Sequence, residues 1–331
     1  MKTTAKEAKA RILRHQRIGA DSFRLRLRCP EIARLAQPGQ FIMLRVSEQS
    51  DPFLRRPFSF SRVFPPGGKM KRTEEDGILE ICYKVVGRGT SLMTKLQEGQ
   101  QLHVLGPLGN GFWAAQGRKQ AILIGGGIGI APLIPWAEKL QRGRAQDRTF
   151  RNLNEPSAVV VLIGGESRDK ILGVKEFKKL DLEPQISTED GSLGVPGMAT
   201  DLLERELMTR GHVSVALYAC GPMPMLAKVA QIADQFDLPC QVLLEARMAC
   251  GMGACLGCAV KVREEDSLKN SQHAPPDAAE ERILCTSAFA GGETGASSES
   301  FVQDVSQPPA FRYARACKEG PVFESREIIW E

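Results

Sequence analysis

The sequence predicts a multidomain protein in which an antiparallel β-barrel is followed by a doubly wound α/β nucleotide-binding domain and a small cysteine-built C-terminal domain. Three observations carry this reading. Short strands parted by Gly and Pro fill residues from about 10 to 112, and continuous apolar runs follow from about 119. Cys250, Cys255 and Cys258 then crowd one glycine-rich run. With 331 residues and 42% hydrophobic content the chain can bury two or three cores. The expected domains are 1–115, 116–240 and 241–331, the last carrying an insertion at 264–311.

In the first domain, Phe23-Arg-Leu-Arg-Leu-Arg28 alternates apolar and charged residues with period two, and Gln40–Val46 and Ile78–Val86 read as further strands. Two segments there carry chemistry. Arg55-Arg-Pro-Phe-Ser-Phe60 sets a guanidinium fork beside a stiffening proline and a hydroxyl. Tyr83-Lys-Val-Val-Gly-Arg-Gly-Thr-Ser91 runs from a strand through Gly87 and Gly89 into a helix expected to be capped by Thr90 or Ser91, with its first N–H groups facing an anion. Together they describe a clamp for a flavin pyrophosphate. The bland alternative is a surface cation at Arg56 and an ordinary hairpin turn at Gly87 and Gly89.

In the second domain, Gln120–Ile124, Ala158–Ile163 and Val213–Ala219 are apolar runs of the kind buried in parallel sheets. Gly125-Gly-Gly-Ile-Gly129 follows such a strand and opens a helix, as a loop approached by phosphate must. The spacing is not the dinucleotide fingerprint. Cys220-Gly221-Pro222 ends a later strand, where the thiol would lie against a nicotinamide, although a buried free cysteine is the commoner state. Gly164-Gly-Glu-Ser-Arg168 ends another and meets an adenosine ribose. Glu166 favours a free 2′-hydroxyl and hence NAD, while Arg168 keeps NADP open.

Cys250, Cys255 and Cys258 have the C-x4-C-x2-C spacing of a plant-type [2Fe–2S] cluster, which needs a distant fourth thiolate. Gly251, Gly253 and Gly257 allow the turns that bring three side chains together. Both Cys317, in the turn-forming Cys-Lys-Glu-Gly-Pro, and Cys285, in the strand-like Arg282–Thr286, are available as the fourth. Zinc competes, but usually takes two separated cysteine pairs. Nine cysteines, an odd number, with no secretory signal before them argue against disulfides.

Composition narrows the function classes. A scattered net charge of +5 and 6% aromatic content give nucleic-acid binding little support, and no apolar run reaches membrane-spanning length, so a cytoplasmic protein is expected. The stretches 264–277 and 291–300 read as flexible insertions. His15, His103, His212 and His273 fall in no motif and read as surface or packing residues, so no acid–base constellation is expected.

Arg56-Pro-Phe-Ser59, Val86-Gly-Arg-Gly-Thr90, Leu105-Gly-Pro-Leu-Gly-Asn-Gly-Phe112, Gly125–Gly129, Cys220-Gly-Pro222, the Met248–Cys255 run and Ala316-Cys-Lys-Glu-Gly-Pro-Val-Phe323 occur in that order. In this the chain resembles the electron-transfer subunits of bacterial NAD-dependent dihydroorotate dehydrogenase, members of the ferredoxin–NADP reductase superfamily. The resemblance implies bound FAD and one [2Fe–2S] cluster, making the C-terminal unit a [2Fe–2S] domain. It also implies an FMN-containing catalytic subunit as partner in a heterotetramer, and a place in pyrimidine biosynthesis. Flavin contacts would fall on Arg56, Pro57, Phe58, Ser59, Cys82, Tyr83, Lys84, Gly89 and Thr90, and cluster ligands on Cys250, Cys255, Cys258 and Cys317. Electrons would pass from FMN in the partner through cluster and FAD to NAD, with dihydroorotate oxidised in the partner. The alternatives are a reductase subunit of a hydrogenase- or ferredoxin-linked system and a zinc-binding interaction module.

Overall fold

The computed structural model describes residues 5–47, 49–66, 76–118, 120–146, 159–210, 214–264 and 311–330. Strands β1 (Lys6–Arg17), β2 (Ser22–Arg28), β3 (Phe41–Leu44), β4 (Arg56–Phe64), β5 (Ile78–Lys84) and β6 (Gln101–Leu108) close into a barrel. Their order is β1-β2-β5-β4-β3-β6, and every pair is antiparallel. Closure removes the exposed edges that an open sheet would leave. The alternation seen in β2 sends Leu25 and Leu27 inward with Ile42, Phe60 and Ile81. Arg24 and Arg26 flank the buried Glu80 at 3.4 and 3.3 Å. Two short helices, α1 (Pro30–Ala33) and α2 (Arg88–Met93), interrupt the strands.

The Arg56–Phe60 part of the candidate pyrophosphate segment lies in β4, which pairs with β3 and β5. Pro57 can occupy the strand because β4 pairs with β5 only from Phe60 onward, so at Pro57 the strand is paired on the β3 side alone. The β-rich region also begins earlier than expected, since β1 starts at Lys6.

The α/β unit contains β7 (Gln120–Gly126), α3 (Leu133–Gln146), β8 (Val159–Gly165), α4 (Val174–Lys178), β9 (Gln185–Thr188), β10 (Val195–Pro196), α5 (Ala199–Arg210), β11 (Val215–Cys220), α6 (Met223–Gln235) and β12 (Cys240–Leu243). A two-stranded ribbon, β13 (Ala259–Arg263) with β14 (Phe311–Arg315), precedes β15 (Val322–Glu324). The sheet runs β10-β9-β8-β7-β11-β12-β15, parallel except for β15. The chain steps outward from β7 through β8 to β10, then returns to the other side of β7 with β11. That reversal opens a crevice beyond the carboxyl ends of β7 and β11, where open α/β sheets take their ligands. Gly125 and Cys220 are register partners at this point.

The strand β12 begins at Cys240 and so crosses the expected boundary between 240 and 241, and β15 enters the same sheet from the C-terminal segment. One apolar cluster joins Cys258, Val262, Cys317 and Phe323 to the sheet residues Leu217 and Val242 and to Phe41, Met43 and Leu108 of the barrel. The cysteine unit therefore shares its core with both neighbours. Among the described residues no helix is long and apolar enough to cross a membrane. The candidate ligand Cys285 with its expected strand 282–286, the insertion 291–300, nearly all of 264–277, and His212 and His273 lie outside the described residues.

Candidate functional site

Two clefts meet at the crevice. The first, about 540 Å³, lies between the barrel rim and the ends of the central sheet strands. Arg56, Pro57, Phe58 and Ser59 line it from β4, Cys82, Tyr83 and Lys84 from the end of β5, and Thr90 from α2. Gly89 lies against Arg56, where a β-carbon would stand 2.8 Å from the guanidinium Nε, so the absence of a side chain leaves room for the cation. The sequence expectation for α2 needs one correction. The helix starts after Gly87, and Thr90, inside its first turn, accepts the Val86 and Gly87 N–H groups at 2.9 and 3.1 Å and donates to the Gly87 carbonyl at 3.0 Å. Thr90 thus caps from the N3 position, closing back onto the N–H of the N-cap residue Gly87, rather than standing at the N-cap itself.

Behind Tyr83 stands His15, whose Nδ1 lies 3.0 Å from the Leu96 carbonyl and Nε2 2.9 Å from the Tyr83 hydroxyl. Nδ1 therefore donates, and in the neutral ring Nε2 accepts from tyrosine. This ring holds a cleft residue in place, a role no local motif announces. Burial pushes the thiol of Cys82 up.

The second cleft, about 530 Å³, is lined by Gly126, Gly127 and Gly129 of the glycine loop, by Glu166 after β8, and by Gly221 and Pro222 after β11. Gly125 does not line it. Its role is packing, since a β-carbon there would sit 2.4 Å from the Ile130 side chain. The loop first makes a short 3-10 turn over Gly127–Ile130, with α3 following at Leu133. Cys220 belongs to the wall of the first cleft, fully buried at the end of β11, and burial, with Glu245 nearby, pushes its thiol well above the ordinary range. Arg168 is not on the cleft wall: its backbone N–H donates to Ser192 Oγ at 2.8 Å, and Nε and Nη2 donate to the Ser192 carbonyl at 3.1 and 2.9 Å.

Lys84, Ile128 and Glu245 line both clefts, so the two spaces adjoin. Glu245 was not among the expected site residues. Its signal was an acid placed directly after the apolar run Val242-Leu243-Leu244. Its side chain keeps solvent access, yet the enclosing protein raises its carboxyl above the usual range.

The cysteine loop packs against the barrel. Gly251 and Gly253 take φ of +72° and +86°, and a β-carbon on Gly251 would reach within 2.5 Å of Met43. Leu256, not Gly257, makes the third left-handed turn, at φ +57°. The backbone N–H groups of Met252 and Cys255 each point at Cys250 Sγ at 3.4 Å. Burial pushes the Cys250 thiol up, but these donors, with the Cys255 thiol and the Ala254 N–H, outweigh it and bring the thiol down to about 6. Cys317, reaching in from the turn after β14, is hydrogen-bonded to Cys258, and burial first and then that neighbour push its thiol up to about 12. Cys258 and Cys317 are 3% and 2% exposed, whereas Cys255 faces solvent.

Cys250 is thus linked to Cys255 and Cys258 to Cys317, and Cys317 also feels the charge of Cys250. Among the described residues no three His, Cys, Asp or Glu side chains converge on a single centre. Paired thiols, with amide N–H groups aimed at sulfur, fit a two-iron cluster better than one tetrahedral zinc.

A closed six-stranded barrel joined at its rim to a doubly wound sheet is the ferredoxin reductase fold. Solved structures bear this out: an NADH-dependent reduced ferredoxin-NADP oxidoreductase is similar over 100% of this chain and 92% of its own, with TM-score 0.68 and 24% identity. A ferredoxin NADP+ reductase from Neisseria gonorrhoeae is similar over 70% of this chain and 92% of its own, with TM-score 0.54 and 17% identity. Residues 245–274 match the family described as the iron-sulfur cluster binding domain of dihydroorotate dehydrogenase B. The dihydroorotate dehydrogenase B (NAD(+)) electron transfer subunit of Caldanaerobacter subterraneus subsp. tengcongensis is 31% identical over 97% of this chain and 98% of its own length. That of Desulforamulus reducens is 30% identical over the same shares. The chain belongs to the family of electron transfer subunits of NAD-dependent dihydroorotate dehydrogenase B.

Proposed function

We propose that this chain carries electrons from an FMN-containing dihydroorotate dehydrogenase catalytic subunit through a [2Fe–2S] cluster and FAD to NAD⁺, in pyrimidine biosynthesis. The observation that carries the reading is the contiguity of three sites. The two clefts share Lys84, Ile128 and Glu245, and Met248 and Pro321, which flank the cysteine loop and the Cys317 turn, line the first cleft. When bound, the cluster and FAD supply one-electron carriage and hydride transfer to the nicotinamide.

The residues divide the work of holding these groups. Arg56, packed against Gly89, offers a charge-assisted donor to the FAD pyrophosphate, while Pro57, Phe58, Ser59, Cys82, Tyr83, Lys84 and Thr90 shape the flavin cleft. Gly126, Gly127 and Gly129 of the Gly125–Gly129 loop would receive the NAD pyrophosphate, and Gly221 and Pro222 would hold the nicotinamide end near Cys220. Glu166 lines the ribose end, and Arg168 is engaged by Ser192, which supports NAD over NADP. Cys250, Cys255, Cys258 and Cys317 hold the cluster. The units 1–115, 116–240 and 241–331, with an insertion at 264–311, serve FAD, NAD and cluster respectively.

Met252 and Leu256 stand 56% and 62% exposed beside the solvent-facing Cys255, which supports electron entry at this loop from the partner. The assembly is a cytoplasmic heterotetramer of two subunits of each kind, with dihydroorotate oxidation confined to the partner. The test is cofactor analysis of the purified chain with a pull-down. The expected result is FAD, iron and acid-labile sulfide, NADH-dependent reduction of artificial acceptors, capture of an FMN protein, and dihydroorotate turnover only with that protein present. Dihydroorotate oxidation by the chain alone, or a colourless zinc-containing preparation, would overturn it.

A further inference from the structure

Asn110 leaves the barrel just beyond β6 and reaches the turn that carries Cys317. Its backbone N–H donates to the Gly320 carbonyl at 2.6 Å. Its side-chain Nδ2 donates to the carbonyls of Glu319 at 2.9 Å and Val322 at 2.8 Å, while Oδ1 accepts the Val322 N–H at 3.0 Å. One half-buried residue thus grips the stretch from 319 to 322 by both its backbone and its side chain. A primary amide suits the task because it donates two hydrogens and accepts at the same time. Gly109 permits the approach: at φ +70°, a β-carbon on it would stand 2.5 Å from Pro321 Cδ.

The two ends of this turn face different sites. Cys317 is buried against Cys258. Pro321 lies in the wall of the flavin cleft, its carbonyl accepting the Leu244 N–H at 2.9 Å. The covalent path from thiol to cleft wall is the segment 317–321 alone. On the cluster side, Arg315 holds the Glu319 carboxylate through its backbone N–H at 2.7 Å and Nε at 3.0 Å, and its Nη1 donates to the Gly253 carbonyl at 3.0 Å. Arg315 therefore places the turn against the cysteine loop, and Asn110 places it against the barrel, on which the flavin cleft is built.

We infer that Asn110 is a positioning residue for electron transfer. Acting through the segment 317–321, it sets where the Cys317 ligand stands relative to the flavin, in the step where one electron leaves the reduced flavin and enters the cluster, or the reverse. The inference rests on the reading of Cys317 as a cluster ligand. Partners that stand behind a metal ligand fix its orientation, and removing them weakens metal retention or activity by about 10- to 100-fold.

The test uses the full-length protein loaded with FAD and cluster, as Asn110→Asp and Asn110→Ala. Aspartate keeps the size but loses both donations and sets a carboxylate against two carbonyls. Each variant is expected to change the reduced-state EPR line shape, to lose iron to a chelator about tenfold faster, and to slow cluster reduction by NADH-reduced flavin about tenfold. FAD content should not change, because Asn110 does not line the flavin cleft. If the alanine variant is insoluble, the near-isosteric aspartate variant decides alone. A native EPR signal with native chelator lability and transfer rate overturns the inference. Cys317→Ser, measured in parallel, separates the two readings. An intact cluster in that variant defeats the ligand assignment, whereas a disrupted one beside native Asn110 variants defeats only the role of Asn110.

Discussion

Gly129 passes so close to Cys220 that a β-carbon on it would stand 2.6 Å from the Cys220 carbonyl oxygen. Two sequence motifs, the glycine loop and the Cys-Gly-Pro turn, are thereby pressed into one surface at the reversal point of the sheet. Gly129→Ala must displace backbone, and should cost about 1–3 kcal/mol as an overpacked core does. Gly87→Ala is the control: nothing lies within 4 Å of its β-carbon and its φ of 176° is ordinary extended backbone. Denaturant melts should show a large loss for the first and a change within about 0.5 kcal/mol for the second. Equal effects would contradict the packing argument.

Arg56→Ala should weaken FAD retention by about 1.5–3 kcal/mol, the worth of a hydrogen bond to a charged group. Arg56→Lys should recover little of it, since a point charge cannot reproduce the planar guanidinium fork packed against Gly89. Flavin content after gel filtration measures both. Wild-type flavin content in the alanine variant would remove Arg56 from the pyrophosphate clamp.

The fourth ligand is open to direct assay. Cys317→Ser should alter iron, acid-labile sulfide and the reduced-state EPR signal, because Cys317 stands paired with Cys258. Cys285→Ser should alter none of them. The opposite pattern would transfer the ligand role to Cys285 and leave the Gly320-Pro321 turn a structural element only.

Glu245 carries a pH signature whose sign follows from its raised carboxyl. A carboxyl raised in the folded state stabilises the fold fully below its unfolded value of about 4.3, and that contribution is lost as pH rises through the folded value. Glu245→Gln should therefore melt higher than the parent at pH 7 in the flavin-free protein, and the difference should close near pH 4. A difference that is the same at both values would place the effect elsewhere than in the ionisation of this side chain.

Much of the architecture was legible because its signals are local. The alternation in Phe23–Arg28, the apolar run of Gln120–Ile124 and the C-x4-C-x2-C spacing each depend on neighbours along the chain, and each appears as β2, β7 and the cysteine loop. The candidate flavin residues likewise come from two short segments, the start of β4 and the stretch from the end of β5 into α2.

What the chain alone determined is the set of elements and the chemistry available on them: a guanidinium at Arg56, glycine turns, an acid at Glu166, and clustered thiols. The tertiary structure alone decided which of these meet. Only folding brings β15 beside β12, pairs Cys258 with Cys317, seats His15 on Tyr83, and sets Glu245 where two clefts join. Asn110 and Val322 are 212 residues apart in sequence, and their hydrogen bonds have no local trace. The physical reason is that periodicity and turn chemistry record forces between residues close in the chain. Convergence across a sheet edge is set by packing among distant elements, and one sequence does not display that.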